Sequence, residues 1–343
     1  MTPERFQDVV SLYKGLRIAV VGDFCLDRYL EIDPARAETS IETGLPVYNV
    51  ANVRAQPGGA GTVLNNLVAL GVGRIEVVGF RGDDGEGYEL RRGLEASPSV
   101  STEHLLTAPD RRTFTYCKPL VVRPGEVPVE LNRLDTKNWT PTPRHLELRL
   151  IDSLRAVAAR CHAVIVLEQV DAAETGVVTR GLLQAIDALT DEYPRLLFLA
   201  DSRRGLRDWP AVALKMNAAE LATLLDRPSV STIEEAKRAA AELALGSGRP
   251  VFVTMAERGI VAAGPDGEVV HSDALPVRGP IDVVGAGDSV TANLAAALAA
   301  GASLGEAVEL AVLASSIVVH QVGTTGVATT EDLAALRNRT WTR

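Results

Sequence analysis

Gly279-Pro280-Ile281-Asp282-Val283-Val284-Gly285-Ala286-Gly287-Asp288-Ser289 stands between an extended apolar stretch and a long alanine-rich one. Its glycines suit a tight turn into a helix whose first backbone N–H groups have no intrahelical partner, and such a start binds anions. A carboxylate placed there opposes the anion, so Asp288 is an odd choice for a site that only holds phosphate. It suits a site where a hydroxyl loses its proton beside a phosphoryl group, with Asp288 as the general base. The amides from Gly285 through Ala286 and Gly287 to Asp288 would then form the hole for the charge developing on the transferring group. On these residues alone a second reading stays open, in which Asp288 is an acid that favours the positive end of a helix dipole.

Other acids stand at strand ends. Asp23 and Asp27 follow the run Leu16-Arg17-Ile18-Ala19-Val20-Val21-Gly22, and Glu168 follows Ala163–Leu167. Open α/β sheets place ligands just beyond such ends. Asp23 serves equally well as a loop cap. Asn217 and Glu220 have the spacing of a helix N-cap with its reciprocal acid. No Gly-Lys dipeptide occurs, so a Walker A loop is excluded, and no strand leads into GxGxxG. HExxH and GxSxG are absent, and the five histidines are scattered. Cys25, Cys117 and Cys161 are widely spaced and indicate neither a zinc knuckle nor a disulfide framework.

The elements that must position these residues alternate. Leu16–Gly22, Ile75–Gly79, Ala163–Leu167, Leu196–Ala200 and Val251–Thr254 read as buried strands, with helices over Thr62–Leu70, Gly87–Leu94 and Thr179–Leu189 between them. Strands alternating with helices imply βαβ units and a parallel sheet covered on both faces. Arg28–Arg54 and Arg112–Asp135 instead alternate at period two, as half-exposed strands do. Together they predict a small sheet standing off the main one as a lid. No linker or internal repeat divides the 343 residues, which read as a single α/β domain over 1–343 with a lid formed discontinuously by about 28–54 and 112–135.

An apolar share of 46% fits a globular protein, and a formal charge of −9 argues against general binding to nucleic acid or anionic membranes. Val290–Val319 is broken by Asn293, Ser303, Glu306, Glu309 and Ser315-Ser316 and reads as buried helices of a soluble core. With no signal peptide in Met1–Val10, the cytoplasm is the expected compartment.

Six segments in order resemble the ribokinase-like (PfkB) carbohydrate kinases: Val20-Val21-Gly22-Asp23 through Asp27, Pro57-Gly58-Gly59-Ala60-Gly61-Thr62, Asn217-Ala218-Ala219-Glu220, Val253-Thr254 with Glu257 and Gly259, Asp282–Asp288, and Gly323-Thr324-Thr325. Within that family the sequence most resembles the heptose-phosphate kinase module of nucleotide-heptose pathways, through Leu26-Asp27-Arg28-Tyr29, Glu42–Val47, Pro57-Gly58-Gly59 and Leu131–Asp135. The resemblance implies a three-layer α/β/α sandwich with a mostly parallel central sheet and a small β lid.

It also implies roles. Asp288 would be the base, Asp27 and the Gly58-Gly59 turn would bind sugar hydroxyls, and Asp23, Thr62 and Glu168 would join them on the substrate side. Asn217 and Glu220 would help place Mg2+, through water, and the phosphates of ATP; magnesium prefers oxygen ligands and keeps its waters. Thr254, Glu257, Gly259, Gly285 and Gly287 would line the nucleotide, and Asp282 with the backbone near Gly323 resembles a site for a monovalent cation such as K+. Thr62 stands where the family usually has asparagine, Val284 replaces Thr or Ser, Val312 replaces a nucleotide-side asparagine, and Glu38 takes the place of an arginine. These departures leave the acceptor open. The expected activity is ATP-dependent phosphorylation of a sugar or sugar phosphate, a heptose phosphate favoured. The alternatives are a nucleoside or other small-alcohol kinase and a non-catalytic sensor. A lid sheet with a free edge suits a homodimer.

Overall fold

In the computed structural model the described residues are 1–323 and 325–341. The chain opens with helix α1 (Pro3–Ser11), strand β1 (Arg17–Gly22) and, one residue later, β2 (Phe24–Ile32). A short hairpin, β3 (Glu38–Thr39) and β4 (Pro46–Val47), leads to β5 (Val50–Gly59) and α2 (Ala60–Ala69). Next come β6 (Arg74–Gly82), α3 (Gly85–Leu94), β7 (Val100–Ala108), β8 (Thr115–Val121), β9 (Val129–Glu130) and β10 (Leu134–Thr136). Then follow α4 (Arg144–Ala158), β11 (Ala163–Glu168), α5 (Arg180–Glu192), β12 (Leu197–Ser202), β13 (Ala213–Asn217) and α6 (Ala218–Leu224). The last part holds α7 (Ile233–Ser247), β14 (Val251–Thr254), β15 (Ile260–Ala263), β16 (Val269–Ser272), α8 (Ala286–Ala299), α9 (Leu304–Val318) and α10 (Thr330–Trp341).

Among the described residues nine strands form the main sheet, in the order β16-β15-β14-β13-β12-β11-β1-β6-β7. It is parallel from β14 through β7, and β15 and β16 add an antiparallel edge. The parallel strands are apolar on both faces because both faces are covered. Ile18 and Val20 pack with α1, α2, α8 and α9, while Ala19 and Val21 pack with α4 and α5. This is the expected three-layer sandwich. Chain order reverses across β1 and β11, the kind of crevice where open sheets bind ligands.

The second sheet runs β10-β8-β2-β5, with β9 against β8. Its strands extend past the bounds the alternation suggested: β2 starts at Phe24, β5 runs on to Gly59, and β10 ends at Thr136. Phe24, Cys25 and Leu26 are all buried, so no period-two pattern marks that end of β2. At the outer edge, β5 exposes Val50 and Val53. Val290–Val319 forms the buried helices α8 and α9. No helix among the described residues is long and apolar enough to cross a membrane.

Candidate active site

Gly285 is the N-cap of helix α8, and its φ of 81° is left-handed and costs an L side chain steric strain. No side chain caps this start. The Ala286 amide donates to the Val283 carbonyl at 3.2 Å, which removes it from the expected anion hole. Among the described residues no acceptor takes the amides of Gly285, Gly287 or Asp288. Three donors are thus left pointing out of a helix start, as anion sites require.

Asp288 lies half-buried in the first turn, and its carboxylate accepts no hydrogen bond from the described residues. Burial pushes its pKa up to about 7, the negative charges of Asp201 and Asp27 add to the rise, and Lys215 opposes it. A carboxyl poised there titrates in the range where a base is useful.

Asp27 faces the same space from β2. It is buried, takes no hydrogen bond from the described residues, and has a pKa raised by burial against the pull of Lys118 and Arg133. A Cβ on Gly58 would stand 2.4 Å from Asp27 Oδ2, so only glycine lets β5 run this close to the acid. Two unpaired carboxylates, Asp27 on the lid and Asp288 on the main body, therefore await donors.

The other expected residues have their own partners. Asp23 is wholly buried and accepts the amides of Gln169 (2.8 Å), Val170 (3.3 Å) and Val177 (2.7 Å), so it clamps a loop, the second of the two roles its position allowed. Burial still lifts its pKa to about 6. Glu168 is buried too; Ser202 Oγ donates to it at 2.5 Å and Arg204 Nη1 at 2.8 Å. Thr62 is buried in the first turn of α2, its methyl 3.5 Å from where a Gly285 side chain would begin, which places it under the anion nest. Gly59 is the residue before α2 and packs on the Asp23 carbonyl.

Asn217 caps α6: its Oδ1 accepts the amides of Ala219 and Glu220 at 2.9 Å, and Glu220 Oε2 accepts the Asn217 amide at 2.7 Å. The pair is a complete capping box, and Glu220 Oε1 takes no hydrogen bond from the described residues. Burial, with the nearby charge of Asp201, raises the Glu220 pKa although its bond to Asn217 and Lys215 oppose the shift. Thr254 Oγ1 lies 3.4 Å from the Met216 carbonyl, Glu257 is exposed, and Gly259 closes the turn into β15. Asp282 accepts the Gly323 amide at 3.3 Å, beside the backbone it was expected to join, and also the Val284 amide at 3.0 Å; Thr324 lies outside the described residues. Val312 is core of α9, and Glu38 accepts from Asn49 on the exposed β3–β4 hairpin.

Sequence reasoning passed over Asp201, Lys215 and Thr291. Lys215 Nζ donates to Asp201 Oδ2 at 2.8 Å, and the single Thr291 hydroxyl proton is shared between the same oxygen at 2.9 Å and the Gly287 carbonyl at 3.1 Å. The available signal was a lysine inside the otherwise apolar run Val212-Ala213-Leu214-Lys215-Met216. Beside Tyr116, the strand partner of Asp27, a shallow recess is bordered by Phe114, Lys137, Trp139, Val170 and Asp171.

The sequence profile of the pfkB family carbohydrate kinases matches residues 17–331. The chain is 35% identical over 334 residues to the bifunctional protein HldE of Hyphomonas neptunium, covering 97% of this chain and 66% of that protein. It is 33% identical to the bifunctional protein HldE of Rhodospirillum rubrum, covering 98% and 65%. The chain thus spans about two-thirds of the length of these relatives. In fold it is similar to phosphofructokinase-2 from Escherichia coli solved with substrates and products, at a TM-score of 0.71 and 18% identity over 94% of this chain and 99% of that one. It is likewise similar to ribokinase of Arabidopsis thaliana solved with ribose and ATP, at 0.64 and 18% over 94% and 98%.

Proposed function

The chain belongs to the pfkB family of carbohydrate kinases, and we propose that it transfers the γ-phosphate of ATP to a hydroxyl of a heptose-phosphate-like sugar. One observation carries the reading: an unpaired carboxylate, Asp288, stands among the free amides of an uncapped helix start. The acceptor hydroxyl lies between Asp27 and Asp288 and gives its proton to Asp288 as its oxygen forms the new bond to phosphorus. The bond from phosphorus to the bridging oxygen breaks, and ADP leaves with the electron pair. The amides of Gly285, Gly287 and Asp288 receive the charge that develops on the phosphoryl oxygens. The lid sheet closes over the sugar and excludes water, which would otherwise compete as acceptor.

Among the described residues no group of three His, Cys, Asp or Glu could hold a metal. Mg2+ would therefore arrive with the nucleotide phosphates, which fits a cation that keeps its waters. Glu220, with one oxygen unengaged, suits a water-mediated contact, and Asn217 would act by holding Glu220 in place. Asp282 and the Gly323 backbone would hold K+. Thr254, Glu257 and Gly259 would border the nucleotide.

The acceptor assignment rests on the family likeness and on charge at the seam beside Tyr116. Arg133, Lys137 and Arg203 face two acids there, Asp135 and Asp171. These three cations are the groups that would meet a phosphate carried by the acceptor. ATP consumption measured against heptoses, hexoses, their phosphates and nucleosides tests the reading. Fastest turnover with a heptose phosphate is expected, and a preference for nucleosides would reassign the acceptor. The free edge of β5 is the surface a second copy would cover in a homodimer.

A further inference from the structure

Asp201 and Lys215 lie on adjacent parallel strands: Ala200 pairs with Leu214, and the next residues along β12 and β13 are this acid and this lysine. Both continue the face that holds Leu199 and Ala213 against α8. Lysine is rarely buried unless paired, and Lys215, 7% exposed, is paired with Asp201. A surface counter-ion would not need such a place. Lys215 Nζ lies 3.1 Å from where a Gly287 side chain would begin, so its ammonium sits directly on the first turn of α8 beside the free amides. Burial works against the charge, but Asp201, Asp288 and Glu220 outweigh it and hold the lysine protonated.

We infer that Lys215 is a catalytic residue of this site, its ammonium binding the oxygens of the phosphoryl group in flight. Asp201 and Thr291 are its positioning residues. The inference rests on the kinase reading and deepens it. An ammonium has three donors, and Asp201 occupies one. Among the described residues no acceptor takes the others, which can meet the three equatorial oxygens, where charge is spread as the group passes between acceptor and ADP. The Thr291 hydroxyl lies within bonding distance of both Asp201 and the Gly287 carbonyl and shares its one proton between them, which links the lysine's acid to the first turn of α8. Lys215 gains and loses no proton in the step; that proton goes to Asp288. The arrangement also gives Gly287 a purpose that a turn alone does not: a side chain there would crowd the ammonium, which would have to shift by a few tenths of an ångström.

A purely structural lysine would neutralise Asp201 and do no more. The two roles separate in Lys215→Met, Lys215→Arg, Asp201→Asn and the double variant Lys215→Met/Asp201→Asn. Each is assayed with the acceptor found by the screen, and Mg-ADP binding is measured by calorimetry with and without fluoroaluminate as a mimic of the flat phosphoryl group. Lys215→Met is expected to lose turnover by about 10²–10³-fold, the cost of removing one charge-stabilising donor. Its ADP affinity should change by less than about threefold while the tightening by fluoroaluminate disappears. Lys215→Arg should recover part of the turnover. The double variant should regain melting temperature, since no charge is left unpaired, without regaining turnover. Recovery of turnover in the double variant, or near-normal turnover in Lys215→Met, overturns the inference and leaves the kinase reading intact. A wild-type protein that phosphorylates no acceptor and binds no ADP removes the kinase reading and this inference with it.

Discussion

Helices α6 and α8 start close together, for the first-turn acids Glu220 and Asp288 both feel Asp201 and Lys215. Yet α6 opens on Asn217, whose side chain takes two amides while Glu220 reaches back to the cap, and α8 opens on Gly285 with no side-chain cap at all. The first start is satisfied by its own residues. The second leaves donors over, together with an acid that has no partner. A helix end closed on itself serves stability, and one left open can serve a ligand.

The largest test of that contrast is Asp288→Asn. Turnover should fall by about 10³–10⁴-fold with nucleotide binding kept, in line with loss of a general base; single-turnover kinetics beside calorimetry would show it. Near-normal turnover would make the open start a mere turn. Gly285→Asp comes next. It supplies the missing cap at a position where φ is 81°, and should lower kcat by about 10²-fold by strain and by occupying the nest. If kcat holds while melting temperature rises, the free amides have no part in transfer.

The pH dependence sharpens the contrast further. Asp288 must be ionised to accept a proton and its pKa is about 7, so kcat/KM should rise with pH up to about 7 and then level. Its stability effect runs the other way. A carboxyl whose folded pKa lies above its unfolded value of about 4 favours the folded state at low pH, and that contribution is lost as pH climbs from about 4 to about 7. Asp288→Asn should therefore melt higher than wild type at pH 8 and show little difference at pH 4. The smallest effect is expected at the closed start. Asn217→Ala should cost about 1 kcal/mol of stability in denaturant titrations, the usual value of a lost cap, with kcat changed far less than by Asp288→Asn. A comparable loss of kcat there would erase the distinction between the two helix starts.

The sequence made the open start visible because glycines, an acid and the onset of an alanine-rich helix are contiguous. The strands β1, β6, β11, β12 and β14 were visible as short apolar runs. Strand β13 was not, since Ala-Leu-Lys-Met-Asn has no β-branched residue and carries a charge. With β13 unseen, the contact of Asp201 with Lys215 had no strand pairing to predict it. Asp23 and Asn217 show the opposite limit. Their types were compatible with both ligand and cap, and only the positions of the amides of Gln169, Val177 and Ala219 decide what their oxygens hold.

Gln56 Nε2 donates to Thr325 Oγ1 at 2.5 Å, and the Thr325 methyl lies 3.6 Å from the position of a Gly285 side chain. One bond thereby joins the lid strand β5 to the wall of the phosphate nest. Swinging the lid away must break it or drag that wall along. Occupancy of the sugar subsite and readiness of the nucleotide subsite then become a single event, so the two substrates should bind with positive cooperativity and idle hydrolysis of ATP should stay low until the sugar is in place.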